Sequence, residues 1–482
     1  MSAADQATAR FARRSTRGVL LGLSAWRVAA VAAAVVMVLV GLLSGAGGLG
    51  LLLGLVLGSP FLTAAFVRVG GQPAVEWTPV VTAFLTRRLT GQTEYVAKID
   101  RPRPAGTLAL PGDAASLRFH LDAVSGACMI HDPHRQTLSA VLHVTHPAYV
   151  LLGPDSQRSR VSAWGRVLAG LAASGTCSAI QITESTIPDS GRGIAEWYAR
   201  HGAHRGGWAE EQYEILLGAN SVGASTHRTT ITLGLDMKAA GRQIKASGGG
   251  IAGAAQVLRG DIAALEFGLR SAELTFAAWM NEREVAHIVR CAYDPALGGE
   301  FTPDAPGANL SHAGPLAVSE RWDRVRHDSG WSTVLWVSEW PRIEVPAHFL
   351  HAIIFTPGVR KTFSLTARPK GTADALRQIR RQKTEMIADA NQKAKVGQIA
   401  DLSDAQEFED VVSRERALIS GHADVDFIGL VVVTAASEEE LDAAARQVER
   451  AASQAGCETR VLCGRQSQGF AAAALPLGRS AL

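Results

Sequence analysis

Two H-x-x-H spacings stand close together in the chain, His131 with His134 and His143 with His146. Imidazoles grouped this way invite a zinc reading, because a tetrahedral site takes nitrogen and sulfur donors that converge on one point. The surrounding stretch "ACMIHDPHRQTLSAVLHVTH" argues against convergence. It reads as a hairpin about an Asp-Pro turn, with alternation through Leu138, Ala140, Leu142 and Val144. On an extended strand His143 and His146, three apart, point to opposite faces. No cysteine or carboxylate quartet lies nearby, so no metal site is assigned. Gly248, Gly249 and Gly250 in "SGGGIAGAAQVLRGD" precede a helical pattern, and a helix start can receive phosphate. A phosphate-binding loop of the Walker type also needs G-K-[ST], which the chain lacks, as it lacks G-x-S-x-G and H-E-x-x-H. The glycines read as a flexible loop entering a helix. No catalytic residue and no cofactor is assigned. Arg377, Arg380 and Arg381, with Lys383, form a basic set on a long helical stretch followed by Glu385 and Asp389. Such a set reads first as a solvated face and next as a partner-binding face, with nucleic acid last.

These residues sit in a chain of 482 residues, room for two or three compact units of roughly 150 residues each. The net charge of +3 implies no polyelectrolyte partner. The five cysteines are scattered, odd in number and without a C-x-x-C pair, so they read as buried reduced thiols in a reducing compartment.

From Val28 to Val67 no residue is charged. Forty helical residues would span roughly 60 Å, twice the hydrocarbon core of a bilayer. The turn residues of "SGAGGLG" near the middle divide the run into two spans, about Val28 to Leu43 and Leu49 to Val67. The first is Ala-rich and expected to pack against a neighbour, and Pro60 is a site for a kink in the second. A cleaved signal peptide would have a shorter apolar region. Arg10, Arg13, Arg14 and Arg17 precede the run, Arg68, Arg87, Arg88 and Lys98 follow it, and the connecting turn is uncharged. The positive-inside rule then puts both termini in the cytoplasm, with Trp26 and Trp77 as interfacial anchors. Two spans without an ionisable residue describe a tether rather than a transport path.

The fold class expected is α+β. Residues 1–27 read as a basic cytoplasmic tail, 28–67 as the transmembrane helical hairpin and 68–105 as a juxtamembrane linker. Residues 106–310 read as a first α+β unit and 311–482 as a second, divided at the Pro/Gly/Asn-rich stretch Pro303 to Gly314. Helices are expected over Arg158 to Ala173, Glu210 to Leu217, Ile251 to Ala272 and Glu282 to Cys291. The first unit's strands are expected in "SAIQITES", Thr229 to Met237 and Glu273 to Trp279. In the second unit "WSTVLWVSEW" and "RKTFSLTARP" are strands, and polar helices run from Thr372 to Lys395 and from Ser403 to Leu418. A β-α-β unit follows, "DFIGLVVVTA", "SEEELDAAARQVERAASQAG" and "ETRVLCG", with Ser437 and Glu440 as a capping box and Gly456 as the C-cap. The closing "QSQGFAAAALPLGR" reads as strand and turn.

Together, "VRVGGQPAVEW", "RVSAWGRVLAGLA", the Glu before Pro in "ESTIPD" and "AALEFGLRSAELTFAAWMNEREVAHIVRCAYDP" resemble the actinobacterial membrane-anchored conjugation-type family, encoded with type IV secretion components. The stretch from "KTFSLTARP" to "LPLGR" is similar to the N-terminal, non-catalytic domain of the conjugative-transfer ATPases, in which a Leu-Pro motif precedes the motor. The resemblance implies a membrane scaffold without catalytic activity. Its implied partners are a secretion-system ATPase supplied in trans, other inner-membrane secretion subunits and membrane lipid. No direct nucleic-acid binding is implied, and self-association as a homo-oligomer is compatible with it. Two other classes compete. One is a subunit of a mycobacterial-type (type VII) secretion membrane complex; the other is a membrane-anchored transferase with an unrecognised site.

Overall fold

In the computed structural model the described residues are 8–9, 11, 23–45, 47–98, 105–145, 149–188, 192–202, 206–219, 225–297, 309–395 and 402–480. The Arg10 to Arg17 cluster, His146 and most of the Pro303 to Gly314 stretch lie outside them. The chain forms two compact units, one comprising Arg14–Thr93 with Cys463–Arg465, the other Met1–Arg13, Glu94–Leu462 and Gln466–Leu482. A two-residue strand β1 (Thr8–Ala9) belongs to the larger unit.

The smaller unit is built on α1 (Ala25–Leu43) and α2 (Gly47–Phe66), both long and apolar enough to cross a membrane. At 1.5 Å per residue each is about 30 Å long, the thickness of a bilayer core. The two pack through small residues. Ala30 and Ala34 are the buried positions of α1, and Gly50, Gly54, Gly58 and Ala65 those of α2. A Cβ at Gly54 would lie 2.8 Å from the Met37 carbonyl oxygen, and one at Gly50 would lie 2.3 Å from that of Gly41. Only glycine allows backbones that close. α2 continues through Pro60, and the Ser59 hydroxyl donates at 2.9 Å to the Val56 carbonyl that Pro60 cannot serve. At the base, Arg27 donates to the Ala65 carbonyl at 2.9 Å, a cation on the last turn of α2. The strands β2 (Arg68–Val69) and β3 (Gln72–Pro73) and helix α3 (Thr78–Leu89) complete the unit.

In the larger unit the chain begins with β4 (Glu94–Val96), β5 (Arg118–Leu121), β6 (Cys128–Asp132) and β7 (Thr137–Thr145). Helix α4 (Pro154–Ser174), β8 (Cys177–Pro188), α5 (Arg192–His201), α6 (Trp208–Ala219) and β9 (Ser225–Asp236) follow. Next come α7 (Gly241–Ala246), α8 (Gly250–Ser271), β10 (Thr275–Trp279) and α9 (Glu282–Tyr293). Then β11 (Ala317–Glu320), β12 (Val325–His327), β13 (Gly330–Glu339), β14 (Val345–Pro346) and α10 (His351–Ile354) lead to β15 (Arg360–Lys370). The chain closes with α11 (Thr372–Lys395), α12 (Leu402–Ile419), β16 (Asp424–Ala435), α13 (Glu438–Gln454), β17 (Glu458–Val461) and α14 (Gln466–Ala473).

The α+β class expected from the sequence is therefore seen, but the division at 310/311 is not a division of the sheet. One 13-stranded antiparallel sheet runs β4-β11-β12-β13-β16-β15-β8-β9-β7-β6-β5, with β10 on β7 and β17 on β13. β15, from the expected second unit, pairs with β8 of the first from Lys361 opposite Thr186 to Ala367 opposite Ile180. Burial of apolar side chains on both faces of this junction holds the halves in one unit. On one face α4, α7 and α8 cover Leu138, Leu142, Ile180, Ile231 and Leu233, while α10 and α13 cover Leu335, Phe363, Val431 and Val433. On the other face α9 and the C-terminal segment cover Ile130, Val141, Val334, Leu430 and Val432.

Ser437 accepts the Glu440 N–H at 3.2 Å, one half of the expected capping box, and the C-cap of α13 is Ala455, with Gly456 at φ 74° one residue beyond it. The strands of the expected β-α-β unit, β16 and β17, are not neighbours; β13 runs antiparallel between them. The segment read as strand and turn at the C-terminus is a helix, α14, with Gln466, Gly469, Phe470 and Ala473 buried. A run of alanines next to one large ring suits a helix pressed flat on a sheet better than an extended strand.

Candidate functional site

The three arginines expected to meet a partner lie on α11, which with α12 forms a helical insertion between the neighbouring strands β15 and β16. The two helices share a thin seam, Ala375, Leu376 and Ile379 against Val411 and Leu418. Lys383 pairs with Glu415 across it, and Arg414 holds Asp424 at the start of β16 through bonds of 2.8 and 2.6 Å. α11 is thus not polar all round, as its composition suggested: every third or fourth residue is packed and the remainder is solvated. Arg377, Arg380 and Arg381 fall on the solvated side. Arg377 pairs with Asp374 one turn earlier and Arg381 with Glu385 one turn later at 2.8 Å. Their side chains remain 75% and 83% exposed, so these local pairs leave the basic surface open to a further partner.

The histidines are dispersed by the sheet. His131 on β6 lies opposite Leu138, on the face covered by α8, whereas His143 lies on the reverse face of β7 with Val141. His134 is exposed in the turn, where its N–H donates to Asp132 Oδ1 at 3.1 Å. Among the described residues no three histidine, cysteine or carboxylate side chains converge as a metal site would require. Gly248 to Gly250 form the link from α7 to α8, all with positive φ.

The cysteines are free, and burial pushes the thiols up, to about 12 at Cys128 and Cys177 and about 11 at Cys457. Cys291 on α9 has the His287 ring one turn back, with Sγ 3.5 Å from Nε2. Burial raises the thiol although Arg228 and Arg360 oppose it, and burial with Arg228 pushes His287 down to about 4. The pair is therefore neutral, not the thiolate-imidazolium couple of a cysteine nucleophile.

A buried polar seam, unread in the sequence, underlies the C-terminal segment. Gln181 on β8 is fully buried and donates to the carbonyls of Ala472 and Leu475 at 2.8 and 3.1 Å, while its own carbonyl accepts the Gly478 N–H at 2.7 Å. Thr232 donates to the Pro476 carbonyl at 3.1 Å. Arg479 reaches Asp113 at 2.9 Å, and its Nε lies 3.1 Å from Asp132 Oδ2, with both Arg479 and Asp132 buried. Strand alternation was the available signal. Gln181, Thr183 and Ser185 in "SAIQITES", Thr230 and Thr232 in "TTITLGLD" and Thr362, Ser364 and Thr366 in "TFSLTA" alternate with apolar or charged neighbours, a pattern that ordinarily marks a solvated face. Here that face is covered by backbone, whose carbonyls and N–H groups the polar side chains satisfy.

No protein-family model and no curated protein matches this chain.

Proposed function

We propose that the protein is an integral membrane scaffold of a type IV secretion-like apparatus, non-catalytic itself, which docks a motor ATPase supplied by another chain at the cytoplasmic membrane. α1 and α2 span the bilayer as a hairpin, both termini are cytoplasmic, and the large α+β unit faces the cytoplasm. The observation that carries this reading is the α11–α12 insertion, a helix pair with a thin packed seam and a basic outer surface at Arg377, Arg380 and Arg381. Such a surface contributes little to the core, which fits a contact made with another protein. The order of sequence motifs resembling conjugation components supplies the partner class.

Exposed ion pairs contribute under about 1 kcal/mol each, so the docking contact is salt-sensitive and moderately tight. Arg377→Glu, Arg380→Glu and Arg381→Glu combined should reduce co-purification with the motor about tenfold while leaving the melting temperature of the scaffold unchanged. If the triple variant keeps the complex and deletion of Met1 to Gly70 abolishes it, the contact lies in the hairpin and the assignment to α11 is wrong. Reporter fusions at positions 5 and 482 should read cytoplasmic and one at 46 external.

A further inference from the structure

On the face of the sheet that carries Gln181, the side chains one and two rows further along β8 and β9 make a second polar area. Thr183 lies opposite Thr230, and Ser185 opposite Arg228. The flanking strands add Ser364 beside Thr183 and Thr362 beside Ser185 on β15, and His143 beside Thr230 on β7. Thr362 donates to Ser185 at 3.3 Å. The hydroxyls of Thr183 and Thr230 are buried, each residue 3% exposed, and neither makes a hydrogen bond. A buried hydroxyl without a partner costs about 1–3 kcal/mol, and two side by side call for a common explanation.

Arg228 supplies it. Among the described residues its guanidinium has no hydrogen bond and no carboxylate partner, though it is largely withdrawn from water and burial lowers its pKa. The charged or titratable groups that sense it are His143, His287, Cys291 and Arg360, none of them an acid that could neutralise it at pH 7. Arg360 is held beside it by bonds to the Cys291 and Pro295 carbonyls at 2.7 and 2.9 Å, so a second guanidinium is fixed in the same area. The carboxylates nearest this pair of cations are Asp294, sensed by Arg360 but already paired with Arg290 at 2.8 Å, and Glu284, sensed by His143 but bonded to the Asn281 N–H at the start of α9, so neither bonds Arg228. We infer that the Arg228, Thr183 and Thr230 cluster is a binding site for a phosphate-type oxyanion, free or carried on a larger molecule. The guanidinium fork offers two parallel N–H donors to one pair of oxygens, and the threonine hydroxyls donate to the remaining ones.

The test uses the full chain in non-ionic detergent at constant ionic strength, titrated calorimetrically with inorganic phosphate, sulfate and acetate. Phosphate and sulfate should give saturable heat with a Kd of about 1 mM or tighter, and acetate should not. Arg228→Gln should weaken phosphate binding by at least about tenfold, with Arg228→Lys in between. Thr183→Val with Thr230→Val should fold at least as stably as wild type without anion yet bind phosphate more weakly. Protein reconstituted with phosphatidic acid vesicles, compared with phosphatidylcholine alone, separates a lipid headgroup from the free ion. Arg228-dependent protection in either form upholds the site. No saturable heat with phosphate and no Arg228-dependent vesicle effect, or binding unchanged in Arg228→Gln, would overturn it; so would acetate binding as tightly as phosphate.

Discussion

Lys361 is 3% exposed on β15, and its ammonium donates to the Thr356 carbonyl at 2.7 Å. Burial pushes its pKa down to about 8, against a smaller opposing pull from Glu184. The folded chain therefore holds this proton less tightly than the unfolded chain does. Between about pH 8 and the usual lysine range the unfolded state binds more protons, so this group's contribution to stability rises with pH. Below pH 8 the full burial cost of the charge is present. Lys361→Met should accordingly gain on wild type at pH 7, and the gain should shrink by pH 10. Urea midpoints of the two proteins at both pH values check it; a difference that does not vary with pH rejects it. His327 works in the opposite range. Its ring bonds the Tyr293 carbonyl at 2.7 Å and Ser332 at 2.8 Å, and burial pushes it down to about 4. Stability is lost as pH falls from about 6.5 toward 4, because the unfolded state takes up the proton first. Neither residue could be singled out in the sequence, since a lysine or histidine on an alternating strand looks the same whether its face meets water or a helix.

At the scale of elements, the α1–α2 pair depends on backbone contact rather than on large side chains. Gly54→Leu would drive a branched side chain against Met37 and Val38, whose atoms lie 2.8 and 2.9 Å from the new Cβ. Overpacking of this kind costs about 1–3 kcal/mol, more where only backbone can yield. The variant should lower the melting temperature in detergent measurably, whereas Leu52→Ala, at a position 62% exposed on the same helix, should leave it nearly unchanged. Equal behaviour of the two would show that the helices do not pack through glycine. The lengths and positions of α1, α2, α4, α8, α9, α11 and α13 were legible because each follows a local rule: a charge-free run, a 3.6-residue spacing or a cap. In the sequence Gly50 belongs to the turn stretch "SGAGGLG", and Gly54 and Gly58 pass as small residues of an apolar span. Their spacing of four, Gly50, Gly54 and Gly58, was the clue to a packed face. α14 reads as strand and turn in the sequence because alanines carry no periodic contrast, so nothing local distinguishes a buried helix from a turn.

For the molecule as a whole, the sheet ties distant parts of the chain together. β15 pairs with β8, the C-terminal segment bonds Gln181 and Thr232, and Arg479 reaches Asp113 and Asp132. Fragments cut at 310/311 should not fold separately, and the intact unit should melt in one transition seen alike by calorimetry and far-UV circular dichroism. Two resolved transitions would restore the two-domain reading. Pairings between strands this far apart in sequence leave no local mark, which is why the boundary at the Pro/Gly/Asn stretch looked sound. The same sheet makes the α11–α12 insertion separable. Lys370 and Asp424 are paired across the ladder, so the chain departs for α11 and returns from α12 at one point. A two-residue Asn-Gly turn could close that gap and leave the strands in register. Residues 371–423 thus behave as a cassette plugged into a hairpin. Their length can change without shifting the pairing of β15 with β16 beneath them, so the insertion and the sheet are set by separate parts of the sequence.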